Sequence, residues 1–162
     1  KLPFSDVRES DWFYEDVAYV YEKGMMNGTG RAAFGPDAST TRGMIVTILA
    51  RMEGVDTTKG AAWYAAGREW AMKNGISDGT NPDATITRAQ MVTMLWRTMG
   101  QPAAGGAANF NDVPANSYYA QAVAWAVEGG ITTGVGNGRF DPNSTCTRAQ
   151  IATFLYRLYL SR

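Results

Sequence analysis

The sequence predicts a mainly α fold built from three helix–loop–helix repeats. Three observations carry this: self-similarity along the chain, helical spacing of apolar residues within each copy, and a Thr-Arg helix start in every copy. Residues 4–54 superpose on residues 110–160 without a gap at an offset of 106. Phe4 falls on Phe110, Asp6 on Asp112, Val17 on Val123, Gly24 on Gly130, Gly28 on Gly134, Phe34 on Phe140, Arg42 on Arg148 and Arg51 on Arg157. Between them lies a degenerate copy. Trp63, Trp70, Gly75 and Gly79 follow Trp12, Tyr19, Gly24 and Gly28 at an offset of 51, which then drops to 46 for Pro82, Asp83, Thr87, Arg88 and Arg97. The middle copy has therefore lost five residues from its loop, and it lacks the Phe-x-Asp-Val opening. The repeats divide the chain as 1–54, 55–100 and 101–162, with joints at 55–61 and 101–109, the second rich in Gly and Ala.

Each copy opens with a helix running from the Trp/Tyr pair to a glycine. Phe13, Val17, Val20 and Tyr21 share one face, as do Tyr119, Val123, Ala126 and Val127. Gly24, Gly75 and Gly130 stand where a left-handed cap ends a helix. A loop of Gly, Asp, Pro and Asn follows, holding a buried aromatic in the outer copies, Phe34 and Phe140. The second helix begins at Thr-Arg. Its apolar face is Ile45, Val46, Ile48, Leu49 and Met52 in the first copy, Met91, Val92, Met94 and Leu95 in the second, and Ile151, Phe154, Leu155 and Leu158 in the third. Thr87-x-x-Gln90 and Thr147-x-x-Gln150 fit a capping box. The first copy has Gly43 and Met44 there instead, a weaker start.

Arg42, Arg88 and Arg148 then occupy the first helical position, where the helix dipole is positive and disfavours a cation. Two explanations stand open. One is a salt bridge to a loop carboxylate such as Asp37, Asp83 or Asp141. The other is an anionic ligand held by the guanidinium and the free N–H groups of the helix start.

Composition removes other classes. Fifteen Lys+Arg balance fifteen Asp+Glu, which argues against general capture of nucleic acid or anionic membrane. The absence of histidine excludes Ser-His-Asp and Cys-His pairs and imidazole metal sites. The single cysteine, Cys146, excludes an internal disulfide. It replaces Thr40 and Ile86 of the other copies and so reads as a small buried hydrophobe. No apolar run is long enough to span a membrane. No cofactor is expected. The start Lys1-Leu2-Pro3 suggests a fragment excised from a longer mature protein.

The combination of FSDV and FNDV, Trp12 and Trp63, GMMNG and GITTG, Phe34-x-Pro36 and Phe140-x-Pro142, and TR, TRAQ and TRAQ resembles S-layer homology (SLH) modules, three times over. The resemblance implies a pseudo-threefold, spindle-like trimer of modules in one chain, with helices gathered on the axis and loops as prongs. It implies grooves between modules that bind a secondary cell-wall polysaccharide of Gram-positive bacteria, often through a terminal pyruvylated N-acetylmannosamine. It also implies a non-catalytic, extracellular anchor for a fused exported effector or S-layer protein. Position by position, the family's functional Arg maps to Arg42, Arg88 and Arg148. The Trp maps to Trp12 and Trp63, with Tyr118 in the third copy. The early Asp maps to Asp6 and Asp112, and the loop Gly to Gly28, Gly79 and Gly134.

The residues allow plainer roles too. Trp12, Trp63 and Tyr118 could be core aromatics, and Asp6 and Asp112 turn caps. Arg51, Arg97 and Arg157, late in the second helices, suit the dipole and read as structural. Two other functions compete: a protein-interaction or lattice module, and a glycan hydrolase using a carboxylate pair. Under the anchor reading, substituting the helix-start arginines is expected to weaken binding and leave stability nearly unchanged, and the incomplete copies predict unequal grooves.

Overall fold

The computed structural model describes residues 2–107 and 109–160. Lys1, Ala108, Ser161 and Arg162, at the outer ends of the first and third repeats and within the second joint, lie outside the described residues. Among the described residues there are six helices: α1 (Tyr14–Glu22), α2 (Arg42–Met52), α3 (Ala65–Lys73), α4 (Arg88–Thr98), α5 (Ala120–Glu128) and α6 (Arg148–Leu160). The fold is mainly α, as expected, with two helices in each repeat.

The odd-numbered helices start without a side-chain cap and stop at glycine. Gly24, Gly75 and Gly130 have φ of +73°, +69° and +74°. That left-handed turn lets the next residue reach back into the helix: Met25 N–H donates to the Val20 carbonyl at 2.9 Å, and Ile76 and Ile131 donate to Ala71 and Ala126 at 2.8 Å. α2 and α4 start on extended threonines, Thr41 and Thr87. The reciprocal capping box forms at Thr87/Gln90 and at Thr147/Gln150. Thr41 accepts only from Met44 N–H, because Met44 has no oxygen to return the bond.

Nine residues are too few for a helix to persist alone in water, so each first helix needs a partner. It finds that partner outside its own repeat. α3 packs on α2 and α5 on α4, each pairing a repeat's first helix with the second helix of the repeat before it; α1 packs on α6, joining the two ends of the chain.

The segments leading into α2, α4 and α6 close a second cycle. Thr40 N–H donates to the Cys146 carbonyl (3.2 Å), Cys146 N–H to Ile86 (3.1 Å) and Ile86 N–H to Thr40 (2.8 Å). All three side chains are fully buried. Burial pushes the Cys146 thiol up to about 12, so it sits there as a neutral small hydrophobe. The pattern continues one step out. The N–H groups of Arg42 and Gly43 donate to Ala84 and Pro82, those of Arg88 and Ala89 to Ser144 and Pro142, and those of Arg148 and Ala149 to Ala38 and Pro36, all at 2.8–3.0 Å. The helix-start N–H groups are thus taken by carbonyls of a neighbouring repeat. They are not free to hold an anion, and that half of the ligand explanation falls.

One apolar cluster draws on all three repeats, with Val17, Leu49, Met91, Leu95, Val123, Ile151 and Leu155 fully buried or nearly so. Val127 is the exception to the expected faces and is exposed. α3 lies tightly against α2. A Cβ on Gly67 would lie 2.7 Å from Thr47 Cα and 2.8 Å from Thr47 N, backbone atoms that cannot turn aside. Gly67→Ala is therefore expected to lower stability by about 1–3 kcal/mol through overpacking, although alanine is the better helix former. Denaturant melts of the two proteins check this; a more stable Gly67→Ala would mean that the pair has slack.

Candidate functional site: three grooves between the repeats

Three surface grooves have the same construction, and each takes one part from each repeat. The Trp12 groove combines Trp12, Arg88 at the start of α4, the 131–135 loop and Arg157 of α6. The Trp63 groove combines Trp63, Arg148, the 25–28 loop and Arg51 of α2. The Tyr118 groove combines Tyr118, Arg42, the 76–78 loop and Arg97 of α4. Their cavity volumes are about 220, 200 and 420 Å³ respectively.

The aromatic residues are surface platforms. Trp12, Trp63 and Tyr118 are 66, 54 and 58 % exposed, which removes the core reading. Each stands edge-on to the ring that follows it in sequence, Phe13, Tyr64 and Tyr119, at 5.0–5.3 Å between centroids. Phe13 lies in the apolar core and Tyr119 packs against it, while the outer rings stay exposed.

The arginines are held in three different ways. Arg148 is 7 % exposed. Its Nε donates to the Phe34 carbonyl at 2.8 Å, its Nη2 donates to the Asn27 carbonyl, and its guanidinium lies 4.7 Å from the Phe34 ring centroid. Arg88 is 6 % exposed. Its Nε donates to the Phe140 carbonyl at 2.9 Å, and its guanidinium lies 4.7 Å from the Phe140 ring and 5.7 Å from Phe154. Its Nη2, however, is buried with no hydrogen-bond partner. Burial pulls both guanidinium groups below the ordinary arginine value, opposed at Arg148 by Asp6 and at Arg88 by nearby acidic groups including Asp141 and Asp112. Both stay charged at neutral pH. Arg42 has no phenylalanine beneath it. Its Nε donates to the Thr80 carbonyl (3.0 Å), and its Nη2 to Ser77 Oγ and Asp78 Oδ1 (3.3 Å each). Arg42–Asp78 is the one ion pair among the described residues. The salt-bridge explanation thus holds at Arg42, with Asp78 in place of Asp37 or Asp83.

Asp6 and Asp112 stand behind the grooves. Asp6 accepts from Phe34 N–H and Gly35 N–H, both at 2.9 Å. Asp112 accepts from Phe140 N–H and Asp141 N–H, both at 2.8 Å. The same Phe34 and Phe140 peptides offer their carbonyls to Arg148 and Arg88. Each outer-repeat carboxylate therefore positions an arginine through one peptide unit and does not line a groove. Partial burial pushes both carboxyl groups up, but the two backbone donors outweigh it, and both end below the ordinary carboxylate value.

Gly28 and Gly134 line the Trp63 and Trp12 grooves. A Cβ on Gly134, at φ +86°, would lie 2.6 Å from the Phe110 ring and 2.8 Å from the Arg139 carbonyl, so glycine is demanded by packing behind the loop. Gly79 follows Asp78, and its N–H donates to Ser77 Oγ at 3.2 Å.

Sequence reasoning read the second cation of each groove, Arg157, Arg51 and Arg97, as structural and did not place it in a groove. Arg97 and Arg157 hold the groove loops through Nη1 bonds to the Ile76 and Ile131 carbonyls, at 3.2 and 3.4 Å. The signal was available. Nine residues separate the two arginines of each second helix, two and a half turns, so they point to opposite sides and into different grooves. In the Trp12 and Trp63 grooves, exposed ring faces beside two arginines and no carboxylate suit an anionic sugar: the ring packs on the sugar's apolar face and an arginine takes the carboxylate.

A family model described as S-layer homology domain matches residues 3–43 and 109–152, just over half the chain, and passes over the degenerate middle repeat. A cell surface protein of Thermoanaerobacter kivui is 27 % identical over 96 % of this chain and 15 % of its own length. An endoglucanase of Bacillus sp. (strain KSM-635) is 29 % identical over 98 % of this chain and 12 % of its own length. An S-layer protein of Bacillus thuringiensis subsp. finitimus is 26 % identical over 94 % of this chain and 21 % of its own length. The chain thus spans about a fifth or less of these relatives. Its location is extracellular and associated with the cell wall. With both outer repeats matched and surface proteins among its relatives, the chain belongs to the S-layer homology domain family, whose members are cell-surface anchoring modules.

Proposed function

We propose that this chain anchors a larger exported protein to the cell wall by binding an acidic secondary cell-wall polysaccharide, a pyruvylated one, in the grooves between its repeats. The repeats 1–54, 55–100 and 101–162 each supply one part of every groove. The observation that carries the reading is Arg88 Nη2: a buried, charged donor without a partner, beside an exposed Trp12. An unpaired buried donor is unfavourable, and a ligand carboxylate would complete it. In this reading Arg88 and Arg148 face the ligand's negative charge and Trp12, Trp63 and Tyr118 carry its rings. Gly28, Gly79 and Gly134 shape the loops, and Asp6 and Asp112 position the arginines. The Trp12 and Trp63 grooves are small, which suits one or two terminal sugar rings better than a threaded polymer. The role is non-catalytic: Asp78, the carboxylate lining a groove, is already committed to Arg42 and Thr80.

The test is co-sedimentation with purified walls before and after the polysaccharide is stripped, together with calorimetry using the methyl glycoside of pyruvylated N-acetylmannosamine. Binding that survives stripping would favour a protein or lattice partner, and sugar release from the walls would favour hydrolysis. Trp12→Ala and Trp63→Ala are each expected to keep stability within about 0.5 kcal/mol, because the rings are exposed. Each is expected to weaken its own groove about tenfold. Melts and calorimetry on the same preparations check both halves.

A further inference from the structure

The three grooves share a plan but differ in what completes the helix-start guanidinium. The deciding position is the third residue of the groove loop: Asn27, Asp78 and Thr133 occupy it in turn. At Asn27 the main-chain carbonyl takes Arg148 Nη2. At Thr133 no bond reaches Arg88 Nη2, which is left without a partner. At Asp78 the chain supplies its own carboxylate.

That carboxylate is held in place. Asp78 Oδ1 accepts from Thr80 N–H at 2.9 Å and Thr80 Oγ1 at 2.7 Å while it pairs with Arg42 Nη2 at 3.3 Å. Its side chain is 70 % exposed, so it lies at the groove surface. The two hydrogen bonds from Thr80 favour the ionised form, and the Asp78 carboxyl lies below its ordinary value. Asp78 therefore stays negative throughout the neutral range. A second carboxylate approaching Arg42 would meet a guanidinium already engaged and a like charge beside it.

We propose that Asp78 is a specificity determinant that turns the Tyr118 groove into a site for an uncharged sugar residue, while the Trp12 groove takes an anionic one. This rests on the glycan-binding reading and adds a division of labour within it. The chemistry of the Tyr118 groove fits a neutral sugar. An exposed aromatic face packs on the ring, an exposed carboxylate accepts from hydroxyls, and Thr93 Oγ1, buried at the groove wall, has no partner of its own. Repulsion by a built-in like charge is the economical way to separate two ligands that differ by one carboxylate.

The experiment uses the whole chain with Trp12→Ala and Trp63→Ala, which leaves the Tyr118 groove as the intact platform. The probes are the methyl glycoside of N-acetylmannosamine and the same sugar carrying a pyruvate ketal, titrated by calorimetry. With Asp78 present the uncharged sugar is expected to bind about tenfold tighter than the ketal. Asp78→Asn keeps an acceptor for Thr80 and removes the charge. Asp78→Thr copies the residue of the Trp12 groove and guards against a folding failure of the first variant. Either is expected to raise ketal affinity about tenfold and reverse the order. An order unchanged by both substitutions overturns the proposal. So does a Tyr118 groove that binds neither sugar while the unsubstituted chain binds the ketal elsewhere. If the unsubstituted chain binds neither sugar at all, the glycan reading itself has failed.

Discussion

A chain cut after residue 100 is expected to have no cooperative, concentration-independent melt as a monomer. The cut removes α5 and α6 and with them the partners of α4 and α1. It also opens the central cycle. Thr40 N–H loses the Cys146 carbonyl, the N–H groups of Arg88 and Ala89 lose Ser144 and Pro142, and the carbonyls of Ile86, Ala38 and Pro36 lose their donors. A backbone hydrogen bond contributes roughly 0.5–1.5 kcal/mol net, so losing six of them takes a large part of the roughly 5–15 kcal/mol that holds a whole domain. The exposed faces of α1 and α4 add to the deficit. Circular dichroism melts and sedimentation should show a frayed, self-associating species, and adding residues 101–162 in trans should restore a single transition. A sharp monomeric melt of residues 1–100 would show that closing α1 on α6 is dispensable.

This dependence on closure is what the sequence conceals. Local features were legible because their causes are local. Helical spacing, the left-handed glycines and the Thr-x-x-Gln boxes involve residues within one or two turns, and the structure has them where the spacing places them. Phe34 and Phe140 were legible as the lone aromatics of polar loops, and both are fully buried. The grooves were not legible as assemblies, because their parts come from different repeats. Arg148 binds Phe34 and Asn27 across 114 and 121 residues, and Arg88 binds Phe140 across 52. For the same reason the salt-bridge explanation of the helix-start cation fails at Arg88 and Arg148, which form no ion pair among the described residues. The compensating groups are carbonyls and ring faces of another repeat, which leave no charge pattern nearby in the chain. Asp6 carries a related lesson. It belongs to the Phe-x-Asp-Val motif, yet it reaches the groove through the Phe34–Gly35 peptide, an arrangement that only the fold displays.

Burial also overturns the expectation that helix-start arginines can be removed without harm to the fold, and it gives a sharper test. Arg148→Ala would delete two carbonyl bonds and a stacked cation, leaving the Phe34 and Asn27 oxygens short of a donor. A loss of about 2–4 kcal/mol is expected. Arg88→Ala deletes one such bond and the stacking on Phe140, but it also removes a buried charge whose Nη2 has no partner. The two effects oppose each other, and the loss should be smaller, about 1–2 kcal/mol. For affinity the order should invert. Arg88 offers the open donor, so Arg88→Ala should abolish most binding of a pyruvate-ketal sugar in the Trp12 groove. Arg88→Lys should rescue little of it, since an ammonium keeps the charge and loses the planar fork. Arg148, whose Nη2 is already occupied, should matter less to affinity than to stability. Arg42→Ala should disturb both least, because its ion pair with Asp78 is surface-exposed on the carboxylate side. Denaturant melts and calorimetry on one set of proteins decide the matter. If affinity falls in the same order as stability, with Arg148→Ala worst in both, the arginines serve binding only as parts of the scaffold and the open donor of Arg88 is not a ligand contact.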